Sequence, residues 1–230
     1  MNTSTKNHIT TRRTCCNGAD SSFCITAAAG TPAADHGRLY GFPAAVDESL
    51  PPVLSVQKTA QYLARKKALA VANEYPNDIV LGSDTTVVLE NAIFGKPKTP
   101  EHAAEMLRQL SGKTHTVITG VALAQGERVS SFQTETAVTF YPLTEEQIQA
   151  YLATGEPMDK AGSYGIQGYG ALLVQNINGD FYSVMGLPVA ETARELQRFC
   201  KGCKIVQTDC TLNSETILRS VSIDNRKGFP

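Results

Sequence analysis

The chain has 230 residues, enough for one large domain or two small ones with a proper core. Its 21 Lys+Arg against 22 Asp+Glu leave a net charge of -1, so no global basic field invites nucleic acid, although a local phosphate-binding cluster is still open. No run approaches the ~18 apolar residues of a membrane span, and the polar opening "MNTSTKNHITTRRTCC" lacks the apolar core of a secretion signal. The expectation is a soluble cytoplasmic protein with no membrane or nucleic-acid partner.

Residues 1–42 show no clear periodicity and form an atypical N-terminal segment; the patterned part is 43–199. "SVQKTAQYLARKKALAVANEY" places Val56, Ala60, Leu63, Ala64 and Val71 on one stripe, the spacing of an amphipathic helix. "NDIVLGSDTTVVL" reads as two short apolar runs broken at Gly-Ser-Asp-Thr, as in buried strands with a functional bend. "TPEHAAEMLRQLSG" reads as a helix with Thr99 as cap, Pro100 at the first helical position and Gly112 past its end. "THTVITGVAL" and "SSFQTETAVTFYPL" read as strands. "TEEQIQAYLATG" is a helix with Thr144 and Gln147 in capping-box register and Gly155 at its end. The glycine-rich "DKAGSYGIQGYGALLV" sets a lone Gln167 among Gly162, Gly165, Gly168 and Gly170. So many glycines would weaken a strand, so the stretch reads as a loop that approaches something closely. "ALLVQNINGDFYSV" is a strand turning at Asn178-Gly179, and "LPVAETARELQRF" is a final helix. Residues 200–230 have no partner in the pattern and read as a poorly structured tail. Strands mixed with helices indicate an α/β layer architecture.

The six cysteines sit at the two ends, and "CKGC" (Cys200 to Cys203) has a spacing that suits zinc or redox chemistry. It lacks a second spaced pair, so reduced, incidental thiols are the preferred reading. Lys67 falls in the middle of the apolar stripe, where an ammonium must either snorkel or meet an anion. Asp84 follows Ile79-Val80-Leu81, so its carboxylate is expected at a strand end, where α/β folds gather ligands; a turn-forming aspartate is the alternative. Lys96 stands at a Gly-Lys-Pro corner, and would otherwise be an ordinary surface lysine. Glu48 and the Asp159-Lys160 pair add acids and amines on loops and element ends. Carboxylates with lysines are what a metal-assisted phosphoryl site needs: the acids hold a hard divalent cation and the amines neutralise phosphate oxygens.

"GSDTTVVLENAIFGKPKTPEHAAEMLRQLSGKTHTVITGV" and "EPMDKAGSYGIQGYGALLVQNINGDFYSVMGLPV" resemble the Maf family of nucleoside triphosphate pyrophosphatases. The Tyr-Gly-Ile-Gln-Gly form resembles the branch acting on dTTP and UTP. Ser83 stands where the family motif usually has alanine. The resemblance implies a mixed twisted sheet with helices packed around it and a central cleft, of Maf/ITPase-like type. It also implies cleavage between the α and β phosphates, giving a monophosphate and pyrophosphate, with Mg2+ or Mn2+ as cofactor. Asp84 then matches the catalytic base, Thr85 and Gln167 the base-selecting positions, Lys67 and Lys96 the triphosphate lysines, and Glu48, with Asp84, the metal carboxylates. A glutamine amide can donate to a pyrimidine carbonyl and accept from its ring N–H, which fits the isolated Gln167. The nucleotide is the expected partner, and a homodimer is compatible with the resemblance. A non-catalytic regulator of septum formation and an inactive remnant are the alternatives.

The family opens with a strand and loop of the form "ILASxSPRRxELL", whose arginines grip phosphates bidentately, and this chain does not show it. Read one nucleotide later, codons compatible with "DSSFCITAAAGTPA" (20–33) can spell "ILASASPRRxELL". The segment therefore reads as a frame-shifted phosphate loop, with the frame restored near Phe42. As written, the chain is expected to lack the usual first strand and to be less active than a frame-restored version. The coding sequence tests this: codons that do not spell the string in the next frame refute it.

Overall fold

The computed structural model describes residues 46–201 and, as backbone strands, residues 23–27 and 39–42. The two apolar runs around Gly-Ser-Asp-Thr are in fact one continuous strand, β3 (Ile79–Leu89). Its ladder to the next long strand runs unbroken from Val80 to Val88, and β-branched Thr85, Thr86, Val87 and Val88 favour the pleat, so the expected bend at Gly82 does not form. Asp84 consequently lies in mid-strand and not at a strand end.

β3 is preceded by β1 (Phe23–Ala27), β2 (Leu39–Phe42) and helix α1 (Thr59–Glu74). A two-residue turn, Glu90-Asn91, joins it to β4 (Ala92–Phe94); both turn residues have positive φ, 51° and 67°, which matches the twist of a tight hairpin. Helix α2 (Pro100–Leu110) leads into the long hairpin β5 (Thr114–Gln125) and β6 (Arg128–Phe140). Then come α3 (Glu145–Ala153), the glycine loop wound into short 3-10 turns, β7 (Val174–Asn178), the single turn α4 (Phe181–Val184) and α5 (Val189–Lys201). The caps fall where the sequence puts them. Thr99 Oγ1 accepts from His102 N–H, and Thr144 and Gln147 form a reciprocal capping box.

The strand order is β2-β1-β3-β5-β6-β7, with β4 also on β3. The expected class, helices around a sheet, is what forms. Within it the sheet is not mixed: every pairing among the described strands is antiparallel. Two of these links, β3–β4 and β5–β6, are short hairpins, which can only join antiparallel neighbours. The front of the chain also departs from expectation. Of the segment read as frame-shifted, Phe23–Ala27 is described, and it fills the sheet position beside Ile79–Ser83 that was expected to be vacant. That edge of β3 presents unpaired backbone groups, which any extended segment can satisfy. The rest of that segment, the tail from 202 and Cys203 lie outside the described residues; Cys200 is half-buried.

Side chains of β3 alternate between two layers. Val80, Gly82, Asp84, Thr86 and Val88 face α1, where Ala64, Ala68, Val71 and Ala72 pack on Val80, Ala122 and Ala124. The other face is covered by α2, α3 and the glycine loop over Val87, Val117, Val138 and Phe140, and by α5 over Ile79 and Leu123. α1 sits unusually close to the sheet. A Cβ on Gly82 would lie 2.6 Å from the Ala64 carbonyl oxygen, and one on Gly120 would collide with the Ala60 backbone. Among the described residues, no helix is long and apolar enough to cross a membrane.

Gly120→Ala should therefore lower stability by about 2–3 kcal/mol, the upper range for overpacking, because backbone has to move. Gly95→Ala, with open space around its Cβ, should stay within ~0.5 kcal/mol. Urea midpoints of the two variants test the close approach of α1.

Candidate active site

The stripe lysine of α1 meets anions. Lys67, 3% exposed, donates from Nζ to Asp84 Oδ1 at 2.6 Å and pairs with Glu48 Oε1 at 2.8 Å. The small alanines of α1 against Gly82 and Gly120 bring the helix near enough for this contact. Gly120 is also the residue opposite Asp84 on β5, so no neighbouring side chain crowds the carboxylate. The adjacent lysine holds the other partner in place: Lys66 Nζ donates to the Asp47 carbonyl, and Asp47 folds back on Ser49 N–H at 3.0 Å. Glu48 thus projects from a short pinned turn while most of its side chain stays in solvent.

Burial pushes the Asp84 carboxyl up to about 6; Lys67 and, more weakly, Lys96 oppose the shift, and Glu48 adds to it. Burial alone would depress Lys67, but Asp84 and Glu48 together outweigh it and hold the ammonium above its usual value. Lys96 is exposed in the corner after β4, within electrostatic reach of Asp84. Four of the residues singled out from the sequence, Glu48, Lys67, Asp84 and Lys96, therefore come together.

Thr85 points the other way, as strand alternation requires, and its hydroxyl bonds that of Thr119 at 2.9 Å on the opposite face. The glycine loop is rooted on that same face: Gly162 packs on the Val87 methyls, and its N–H donates to the carbonyl of Gly95, the neighbour of Lys96. Gln167 is exposed on this loop, and its amide makes no hydrogen bond among the described residues. The Asp159–Lys160 pair closes on itself at 2.7 Å, with Lys160 packed under Gly165 of the loop.

The sheet joins the two faces. β1 pairs with β3 as far as Ser83, and β4 begins at Val87. Asp84, Thr85 and Thr86 consequently have a strand neighbour only on the β5 side, among the described strands. At this slot in the ladders, Asp84 lies on the α1 face and Thr85 on the opposite face.

The donor set suits a hard divalent cation. Two carboxylates reach one ammonium and one of them is well exposed, which fits an ion that keeps water and substrate oxygens as ligands. A closed cage is not present: no group of three or more His, Cys, Asp or Glu gathers among the described residues.

Sequence reading passed over the residues that hold the loop. Tyr151 Oη accepts from Gly165 N–H at 3.1 Å, and Glu156 Oε1 and Oε2 accept from the N–H groups of Tyr169 and Gly170 at 3.2 and 3.3 Å. Burial first, with Glu156 contributing, pushes the Tyr151 hydroxyl up to about 12. Tyr164 is tied to His115 at 2.7 Å inside a T-shaped aromatic cluster with Phe140, where burial lowers His115 to about 4. The glycines serve this packing. A Cβ at 168 would strike the Glu156 carboxylate, one at 170 the Gly165 carbonyl, and one at 165 would lie 2.8 Å from Lys160 Cε. The one signal available was Glu156 opening the "EPMDKAG" stretch ahead of the glycines.

Fold and cluster together define an α/β protein with a buried acid–lysine pair beside a gap in the strand ladders of β3. The Maf-like protein family matches residues 36–199, and the chain belongs to that family. It is 52% identical over 153 residues to a protein of Geobacillus sp. (strain WCH70) named dTTP/UTP pyrophosphatase, covering 66% of this chain and 82% of the relative. Proteins of the same name from Bacillus cytotoxicus and Bacillus velezensis are each 53% identical, over 68% and 66% of this chain and 82% and 81% of the relatives.

Removing the ammonium should make stability strongly pH-dependent. In Lys67→Met, Asp84 stays buried without its cation, so its folded pKa rises further above the unfolded value. Such a group favours the folded state at low pH and loses that contribution as pH climbs through the folded pKa. The variant should be about 3 kcal/mol less stable than the parent at pH 7.5, and the deficit should shrink by pH 5. Urea unfolding with chelator present measures both.

Proposed function

We propose that this chain hydrolyses nucleoside triphosphates, dTTP and UTP foremost, to a monophosphate and pyrophosphate in the cytoplasm, as the names of its relatives suggest. The observation that carries the reading is the Lys67 ammonium held between Asp84 and Glu48 beside the slot in β3. A phosphate chain lying on the α1 side would meet two cations, Lys67 and Lys96. Lys67 has three N–H donors, two of them engaged by carboxylates, so one is left for a phosphate oxygen.

Asp84 serves as the base. A water oxygen attacks the α-phosphorus, its proton passes to the Asp84 carboxylate, and the bridging α–β P–O bond breaks. Pyrophosphate leaves with the bonding pair. A carboxyl raised toward 6 is better matched to this task than one at its ordinary value, while still ionised at neutral pH. Glu48 and Asp84 are the residues that would hold Mg2+ or Mn2+, which when bound neutralises phosphate charge. The base of the nucleotide passes the slot to the Thr85 face, where Gln167 reads the pyrimidine edge. A site that hydrogen-bonds its substrate rejects analogues that leave its polar groups unpaired. The non-catalytic alternative is not favoured, since the relatives are named for an activity.

Pyrophosphate release from a nucleotide panel tests the proposal. The chain should turn over UTP and dTTP in preference to purine nucleotides, with activity lost on chelation and restored by Mg2+ or Mn2+. Asp84→Asn should cost ~10²–10⁴-fold in kcat, the usual worth of a positioned base. Gln167→Ala should flatten the pyrimidine preference while leaving turnover measurable. No pyrophosphate release under any of these conditions would overturn the activity.

A further inference from the structure

Gln167 stands at the apex of a loop whose two limbs are each fastened by a side chain, Tyr151 on one and Glu156 on the other. On the incoming limb, the Gly165 N–H is held by the Tyr151 hydroxyl. On the outgoing limb, the N–H groups of Tyr169 and Gly170 are held one by each oxygen of the Glu156 carboxylate. Tyr151 lies within electrostatic reach of Glu156, so the two fastenings sit side by side under the loop. Glu156 is itself fixed from behind, its own N–H donating to Thr154 Oγ1 at 3.2 Å. Both Glu156 oxygens are committed to the loop backbone, which leaves the carboxylate no role as a direct ligand to an anionic nucleotide. Gly168, at φ +62°, passes so close over this carboxylate that a Cβ there would be strained and would push the carboxylate aside. The apex is thus set by a charge-assisted clamp and not by contacts of Gln167, whose amide bonds nothing among the described residues.

We propose that Glu156, assisted by Tyr151, is the specificity-positioning residue of this site: it clamps the backbone on either side of Gln167 so that the amide meets the base at a fixed place. The inference rests on the reading of Gln167 as the base-selecting residue. An amide on a slack loop could approach uracil and cytosine in several ways and tell them apart poorly. Held to within ~0.5 Å, it presents one donor–acceptor pattern.

The test compares kcat/KM for UTP and CTP in the full chain and four variants, with thermal midpoints recorded for each. Glu156→Gln keeps the shape but replaces one acceptor oxygen by an amino group that cannot accept from an N–H. The UTP:CTP ratio should fall about tenfold, equivalent to ~1.4 kcal/mol, chiefly through a higher KM for UTP. Tyr151→Phe, which releases only the Gly165 limb, should give a smaller fall of the same kind, and it carries the test should Glu156→Gln fail to fold. The double variant Glu156→Gln/Gln167→Ala should discriminate no worse than Gln167→Ala alone, because the clamp acts through Gln167. If Gln167→Ala lowers the ratio but the clamp variants leave it intact, positioning by Glu156 is refuted while base reading stands. Multiplying losses in the double variant would show Glu156 acting independently, which also refutes it. An unchanged ratio in Gln167→Ala removes the base-reading premise, and the clamp proposal falls with it.

Discussion

A single ammonium organises this molecule. Lys67 lies in the buried face of α1 and is tolerated there because Asp84 and Glu48 converge on it. An isolated charge at 3% exposure would be prohibitively costly, so the three groups have to be assembled together. The assembly depends on distance. α1 reaches the sheet only because Gly82 and Gly120 leave room for the backbones of Ala64 and Ala60. The glycines, the small-residue stripe and the ion pair are one construction.

The second organising feature is the interruption of the sheet. Between the end of the β1 ladder at Ser83 and the start of the β4 ladder at Val87, three residues of β3 have one strand neighbour instead of two among the described strands. Alternation sends Asp84 and Thr85 to opposite faces at that point. The acid–lysine cluster on one side and the glycine loop on the other are then linked through a short stretch: Gly95 accepts from Gly162, and the next residue, Lys96, lies within electrostatic reach of Asp84. The proposed reading uses both: the cations for the charged tail of a nucleotide and Gln167 for its ring.

Local signals were read well where they act over a few residues. The caps at Thr99 and Thr144, the apolar stripe of α1 and the strands read at 114–123 and 130–140 all form. Lys67 was legible as an anomaly, but a lysine in an apolar stripe equally suggests snorkelling. Only the fold shows which anions it finds. Reading a break into Gly82-Ser83-Asp84-Thr85 failed for the converse reason: a ladder nine residues long with β5 overrides a glycine's local preference. Glu156 was illegible as a clamp, since its partners are backbone N–H groups thirteen and fourteen residues away that have no sequence code.

By itself, the sequence determined the longer helices α1, α2, α3 and α5, the capped starts of α2 and α3, most strand-forming runs and the residue types capable of phosphate chemistry, because these follow from spacing within one element. Tertiary structure alone decided that β3 is unbroken, that Asp84 and Thr85 divide between two faces, and that the loop glycines serve close packing on Glu156, Lys160 and Gly165. Each of those outcomes turns on which distant backbone lies within a few ångströms, and that is set by how the layers stack.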